Sequence, residues 1–436
     1  MKSIKIQDKA YLIIGTTICV LFMLSKLMST AIFAYIGVVL VILDVIFDKS
    51  YNNIFLFLFL CANTTYLVLG ERAICGYIGF LLLIKFILNG QIKIKIELSL
   101  LGIILFLLYI LFNALINKDG SLIKGYIKVI VYVLLFLGYY SQHRFQLYNL
   151  VRKSVQNNIW GGLIGSLLGI LYTLLKKGNI FSSSIYLRYI GLSNDPNYFS
   201  AIMVFATALL VLLFFDDRKL KIWGILSLFL FVVLGLASLS RGYLLSLFLL
   251  VIVVALKLFF DFKIKFRYKL IVGAIVVAIL IILYYQTSVF QLIEKRFTGD
   301  QDLSNGRLEI WSLYLKEWSA DWIKILFGSG NTRNSITFST NHHIPHNTLI
   351  DLLYELGIVG LLLYVCLFII LYKKVTNRRY NKVGLSFLPS LIVFSTYSFL
   401  SQTTEEGFII AMIISILVLK VRFGNNAVTI KPSVEV

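Results

Sequence analysis

Residues 194–215 read NDPNYFSAIMVFATALLVLLFF, and this stretch decides the fold. From Asn197 to Phe215 no residue is charged, and at 1.5 Å per residue such a helix crosses a hydrocarbon core of about 30 Å. Just before it, Asn194-Asp195-Pro196-Asn197 is a polar string of the kind that starts a helix, since Asp and Asn cap and proline fits the first turn. Working outward, the same reading recurs along the chain. It predicts fourteen spans, near 11–28, 31–47, 54–70, 73–89, 99–117, 122–140, 158–175, 197–215, 220–239, 242–260, 268–286, 347–372, 384–401 and 405–421.

Composition agrees. The 436 residues are 59% hydrophobic and 14% charged, with mean hydropathy +0.88, which excludes a soluble globular protein. The apolar runs are too long, and too rich in Leu, Ile and Phe, for barrel strands of alternating polarity, so an all-α integral membrane protein is expected. The net charge of +20 does not indicate nucleic acid, because Lys and Arg sit in short connectors and form no basic stripe. Cys19, Cys61, Cys75 and Cys366 fall within spans without CxxC spacing and read as small apolar residues.

The connectors also orient the chain. With the N-terminus inside, 24 Lys and Arg fall on the cytoplasmic side and 14 outside, six of the latter in one long loop. That asymmetry predicts cytoplasmic termini. The first span follows Met1–Ala10 directly and is expected to serve as a signal anchor; residues 423–436 form a short cytoplasmic tail. Lys85 and Lys257, near cytoplasmic span ends, are expected to snorkel. Residues 1–422 form a single transmembrane domain, with the outer loop at 287–346.

On the outer side the sequence concentrates polar chemistry. Helix starts at Asn194-Asp195, Ser240 and His346-Asn347 direct partial positive charge outward and suit an anion. Arg241 sits on one start, and Arg188, Arg307 and Arg333 lie in neighbouring loops; a guanidinium fork suits phosphate. Contact with lipid headgroups, or pairing with Asp300, Asp302 or Glu309, is the plainer reading of each arginine alone. His346 stands just before a span, where an imidazole can take a proton from a sugar hydroxyl. His342 and His346 at i, i+4 do not make a metal pair, since Pro345 interrupts any helix there. Asp300-Gln301-Asp302 has the form of a metal-holding DxD but lies in a turn that solvates carboxylates equally well. Asp351 and Glu355 share a helical face and are expected to pair with Arg or Lys. Trp311, Leu315, Trp318, Trp322 and Ile325 predict one apolar face of a helix lying at the interface.

Taken together, five strings resemble the O-antigen ligase and polymerase family of polytopic glycosyltransferases. They are Gly191-Leu192-Ser193-Asn194-Asp195-Pro196-Asn197-Tyr198-Phe199-Ser200, Ser238-Leu239-Ser240-Arg241-Gly242, Gly306-Arg307-Leu308-Glu309-Ile310-Trp311, Leu326-Phe327-Gly328-Ser329-Gly330, and His346-Asn347-Thr348-Leu349 through Gly360. They cover roughly residues 186–375. The resemblance implies transfer of a glycan from undecaprenyl diphosphate to an acceptor hydroxyl outside the cytoplasmic membrane, with no nucleotide sugar, cofactor or metal. It maps the family's functional arginines onto Arg241 and Arg307 and its histidine onto His346. Arg188, Asn194, Asp195, Asn197 and Asn347 are the expected substrate-binding residues beside them. The partners implied are the lipid-linked glycan, a glycan acceptor, membrane lipids and other polysaccharide-assembly proteins, with no nucleic acid. A polymerase of O-antigen, capsule or exopolysaccharide repeat units is the first reading. A ligase of the same fold, moving the finished glycan to a lipid, wall or protein acceptor, is the second. A flippase or exporter of lipid-linked sugar is the third, and it would carry its polar groups near the bilayer midplane rather than at the rim.

Overall fold

The computed structural model describes residues 2–48, 52–70, 72–90, 98–143, 146–177, 188–217, 222–260, 306–330, 344–375, 385–397 and 404–421, with a few isolated positions and a small hairpin besides. The helices are α1 (Lys2–Met28), α2 (Ile32–Phe47), α3 (Asn53–Cys61), α4 (Cys75–Leu88), α5 (Leu98–Ile116), α6 (Ser121–Gln142), α7 (Leu147–Lys177), α8 (Pro196–Asp217), α9 (Ile222–Ala237) and α10 (Arg241–Phe260). After them come α11 (Arg307–Trp318), α12 (Trp322–Phe327), α13 (Thr348–Val375), α14 (Leu388–Thr396) and α15 (Glu406–Val421). The described strands pair as two antiparallel hairpins, Val68–Leu69 with Arg72–Ala73 and Thr337–Phe338 with Asn341–His342. Among the described residues six helices are long and apolar enough to cross a membrane: α1 from Ala10, α6, α7, α8, α10 and α13. Four shorter apolar helices accompany them. The protein is therefore an all-helical, multi-pass membrane protein. The expected span at 268–286 lies outside the described residues.

Two predicted spans are not single helices. The stretch 54–70 is helical only to Cys61, and every residue of α3 is buried. Nine residues reach about 14 Å, less than half the hydrocarbon core. Asn63 ends the helix: its side-chain amide donates to Gly161 O at 2.9 Å, and its carbonyl accepts from Leu67 N at 3.1 Å. Irregular backbone is tolerated there because α7 covers it, with Gly161 leaving room for the carbonyl of Phe59. Among the described residues of the stretch 384–401, α14 accounts for nine. Its end is held by hydroxyls, Ser395 to Ser246 of α10 at 2.8 Å and Thr348 of α13 to Tyr397 O at 3.1 Å.

The bundle has two unlike ends. At one, the side chains lock the helices to each other: Asn53 Nδ2 donates to Asp44 at 2.7 Å, Lys85 Nζ donates to Asn53 Oδ1 at 2.5 Å, and Arg152 pairs with Asp217 at 2.6 Å. Lys85 is thus hydrogen-bonded within the protein rather than snorkelling. The other end is open and carries the polar strings singled out above.

Candidate active site

Three helix starts meet at the open end, each capped as its sequence dictates. Asp195 Oδ1 accepts from Asn197 N at 2.6 Å and Tyr198 N at 3.2 Å, opening α8. Asn347 Oδ1 accepts from Leu349 N at 3.0 Å and Ile350 N at 3.2 Å, opening α13. Ser240 Oγ accepts from Tyr243 N at 3.5 Å, opening α10. Each cap satisfies amides the helix leaves bare and aims a partial positive charge at the open end.

A clamp joins the first and third starts. Arg188 Nε donates to Ser238 O at 2.7 Å and its Nη2 to Asn197 Oδ1 at 2.8 Å, while Ser240 Oγ donates to the same oxygen at 3.2 Å. Lys26, from the end of α1, donates to Leu192 O at 2.5 Å and Asn194 Oδ1 at 3.0 Å, fixing the loop before α8. Two turns here hold left-handed backbone without glycine, Leu239 at φ 53° and His346 at φ 49°. Such backbone costs about 1–3 kcal/mol and persists only where the surroundings enforce it. Leu239 stays because its side chain is buried.

The arginines converge. Arg307 opens α11, and both Asp195 and Arg241 lie close enough to act on it electrostatically. Burial holds its guanidinium below the ordinary arginine value; Asp195 raises it and Arg241 lowers it further. Docking of α11 fixes this position. Tyr314 is fully buried, its ring 4.9 Å from that of Tyr354 on α13, and Tyr354 Oη donates to Glu317 at 2.9 Å. Trp311 Nε1 donates to Pro345 O at 2.6 Å, so the helix that carries Arg307 also holds the residue before His346.

The tryptophan-rich face differs from expectation. The helix breaks after Trp318, and Asp321 caps a second helix by accepting from Ile323 N at 2.9 Å. Trp311 and Trp318 pack with Tyr314 against α13, whereas Leu315 and Trp322 are exposed.

Beside the arginines a cavity of about 870 Å³ opens between α4, α6, α8, α13 and α15. Its wall includes Asn194, Asp195, Tyr126, Tyr198, Asp351 and Glu355, together with Lys124, Lys128, Glu405 and Glu406. Tyr126 Oη donates to Glu355 at 2.6 Å, and Lys128 pairs with Glu406 at 3.1 Å. The volume lies in the range of small-molecule sites. Of the candidates read from sequence, Asn194 and Asp195 line the cavity, Arg241 and Arg307 come together beside Asp195, and His346 stands two residues from the lining Ile344. Arg188, Asn197 and Asn347 hold backbone and caps in place. Asp300, Asp302, Arg333 and His343 lie outside the described residues. Lys124, Tyr126, Glu405 and Glu406 escaped notice in the sequence, and Lys128 reads there only as a basic residue within a span. The signal was present in Lys128 and Glu406, two ionisable groups at apolar spans. Among the described residues no three His, Cys, Asp or Glu side chains converge as a metal site.

The fold and the site define a multi-pass membrane protein with cations gathered at converging helix starts beside a polar hollow. Residues 226–365, about a third of the chain, match the family model described as O-antigen ligase. That segment contains Arg241, Arg307 and His346, so the part of the chain that carries these three residues is similar to the O-antigen ligase family. No curated protein and no solved structure matches the chain.

Proposed function

We propose that this protein is a polysaccharide polymerase that joins undecaprenyl-diphosphate-linked repeat units on the outer face of the cytoplasmic membrane. The observation that carries this reading is that Arg307 lies within electrostatic reach of both Arg241 and Asp195, the last of which lines the cavity. Both arginines begin helices, so two guanidinium forks and two helix N-termini offer a diphosphate four converging sources of positive charge. In the reaction the acceptor hydroxyl attacks the anomeric carbon, its proton passes to His346, and the bond from that carbon to the phosphate oxygen breaks. The departing lipid diphosphate keeps the bond's electron pair on its oxygen, and the arginines hold the negative charge that results. One well-placed cation in a dry site is worth about 3–4 kcal/mol of barrier, so holding the leaving group is the larger part of the work.

The topology that goes with this function has about fourteen transmembrane passes, both termini in the cytoplasm and the open end outside. The charged groups of the cavity support surface chemistry over export. Asp351 lies in the first turn of α13, Glu406 begins α15, and Lys128 is seven residues into α6, about 10 Å from the helix start and short of the bilayer midplane. The test is reconstitution: purified protein in detergent, supplied with lipid-linked repeat units, should lengthen the glycan stepwise. A single transfer onto an added lipid or protein acceptor, without lengthening, would make it a ligase. Absence of any transfer with donor bound would leave export.

A further inference from the structure

The chain as a whole is strongly basic, yet its cavity is not. Of 21 acidic residues in the sequence, five line the hollow (Asp195, Asp351, Glu355, Glu405 and Glu406) against two lysines (Lys124 and Lys128), a formal charge of −3. One lysine is already committed to Glu406. The cations that suit a diphosphate are instead Arg241 and Arg307, which are not among the lining residues but lie within electrostatic reach of each other, with Asp195 of the lining acting on Arg307. Charge is thus divided across a short distance, with anion-binding groups on one side and anion-repelling groups on the other.

The remaining wall suits sugar. Tyr77, Tyr126, Tyr198 and Tyr397 line the space, the Tyr126 hydroxyl bonded to Glu355. Aromatic faces pack on the C–H faces of pyranoses, and carboxylates accept hydrogen bonds from hydroxyls or ammonium groups. One turn beyond Lys128 on α6, the hydroxyl of Tyr132 is fully buried and makes no hydrogen bond among the described residues, in the electrostatic reach of Glu405 and Glu406. A buried hydroxyl left in that state calls for a water or a ligand group.

We infer that the hollow is a saccharide subsite for neutral or amino-bearing sugars that turns away acidic ones. It rests on the glycosyl-transfer reading above. It also orients the substrate: the diphosphate lies on the arginines, the glycan runs into the acidic hollow, and Asp195 marks the junction. A repeat unit whose sugars near the reacting carbon carry carboxylates does not fit this protein.

The test is binding, measured without any transfer reaction. Full-length protein in detergent is titrated with chitosan trimer, chitotriose and trigalacturonate, matched in length and differing in charge, with saturation-transfer NMR as readout. Trigalacturonate should bind at least about tenfold more weakly than chitotriose, and chitosan trimer at least as tightly as chitotriose. Glu405→Lys, at a half-exposed position, should shrink the penalty against trigalacturonate several-fold while the thermal transition stays unchanged. Equal binding of all three sugars, no binding of any by folded protein, or an unchanged ratio in Glu405→Lys would each overturn the subsite. Discriminating binding without glycan lengthening would instead sink the polymerase reading and leave the subsite standing.

Discussion

Gly328 and Gly357 face each other backbone to backbone across the junction of α12 and α13. A Cβ on Gly328 would lie 2.4 Å from Glu355 O and 2.7 Å from Gly357 N, and one on Gly357 would lie 2.4 Å from Leu326 O. Both have positive φ, 80° and 63°, and α13 kinks at Gly357. The kink frees carbonyls, and α5 takes them up: Tyr109 Oη bonds Leu356 O and Asn113 bonds Glu355 O at 3.4 Å. Tyr109 also donates to Phe327 O at 3.2 Å. The outer helix pair carrying Arg307 is therefore pinned to the helix opened by His346 at a contact only glycine allows.

Gly328→Ala and Gly357→Ala should each cost about 3 kcal/mol or more, combining left-handed strain with a backbone clash. In detergent the thermal transition should fall by about 3 °C or more. Gly242→Ala is the control. A Cβ there meets nothing nearer than Ser240 Oγ at 3.8 Å, so its transition should match wild type. An unshifted transition in both test variants would refute the pinning.

Arg241→Lys and Arg307→Lys should both abolish most transfer while protein levels stay normal. An ammonium keeps the charge but loses the two-oxygen grip on a diphosphate. At position 307 the burial that depresses the guanidinium would depress an amine from a lower starting point. A fall of about 100-fold in elongation is expected. Normal polymer from both variants would remove the arginines from the site.

What the sequence showed and what it hid divide along contact range. The starts of α8 and α13 were legible because capping is local: Asp195 reaches Asn197 N and Asn347 reaches Leu349 N, two residues on. The end of α3 was not, because it is set by Asn63 bonding Gly161, 98 residues away. Lys128 and Glu406, 278 residues apart, look like isolated anomalies until folding pairs them. The break in the tryptophan helix was local and readable in Asp321, but the apolar spacing through Trp322 and Ile325 masked it.

Topology is open to a direct check. In a cysteine-free background, cysteines at Lys124 and Lys316 should react with a membrane-impermeant thiol reagent added to intact cells, because both are exposed at or beside the open end. A cysteine at Asp217, exposed at the opposite end, should react only after the membrane is breached. The reverse pattern would turn the protein over and place the site in the cytoplasm.

His346 is the sharpest test of chemistry, since its role and its backbone can be separated. It sits at φ 49°, where alanine is strained but asparagine is tolerated. His346→Asn therefore keeps the turn and a polar side chain while removing the base. Donor affinity should hold and transfer should fall by about 10²–10⁴, the usual worth of a positioned general base. Trp311→Phe probes the support: it keeps the ring but deletes the hydrogen bond to Pro345 O. That bond is worth about 1 kcal/mol in stability, and its loss lets His346 drift from the acceptor. Turnover should drop by about tenfold with donor affinity unchanged, since small misplacements of a reacting group are costly. His342→Ala and His343→Ala should stay close to wild type. Full turnover in His346→Asn would assign the proton to another group, and the carboxylates nearest the arginines, Asp195 first, would be the ones to replace next.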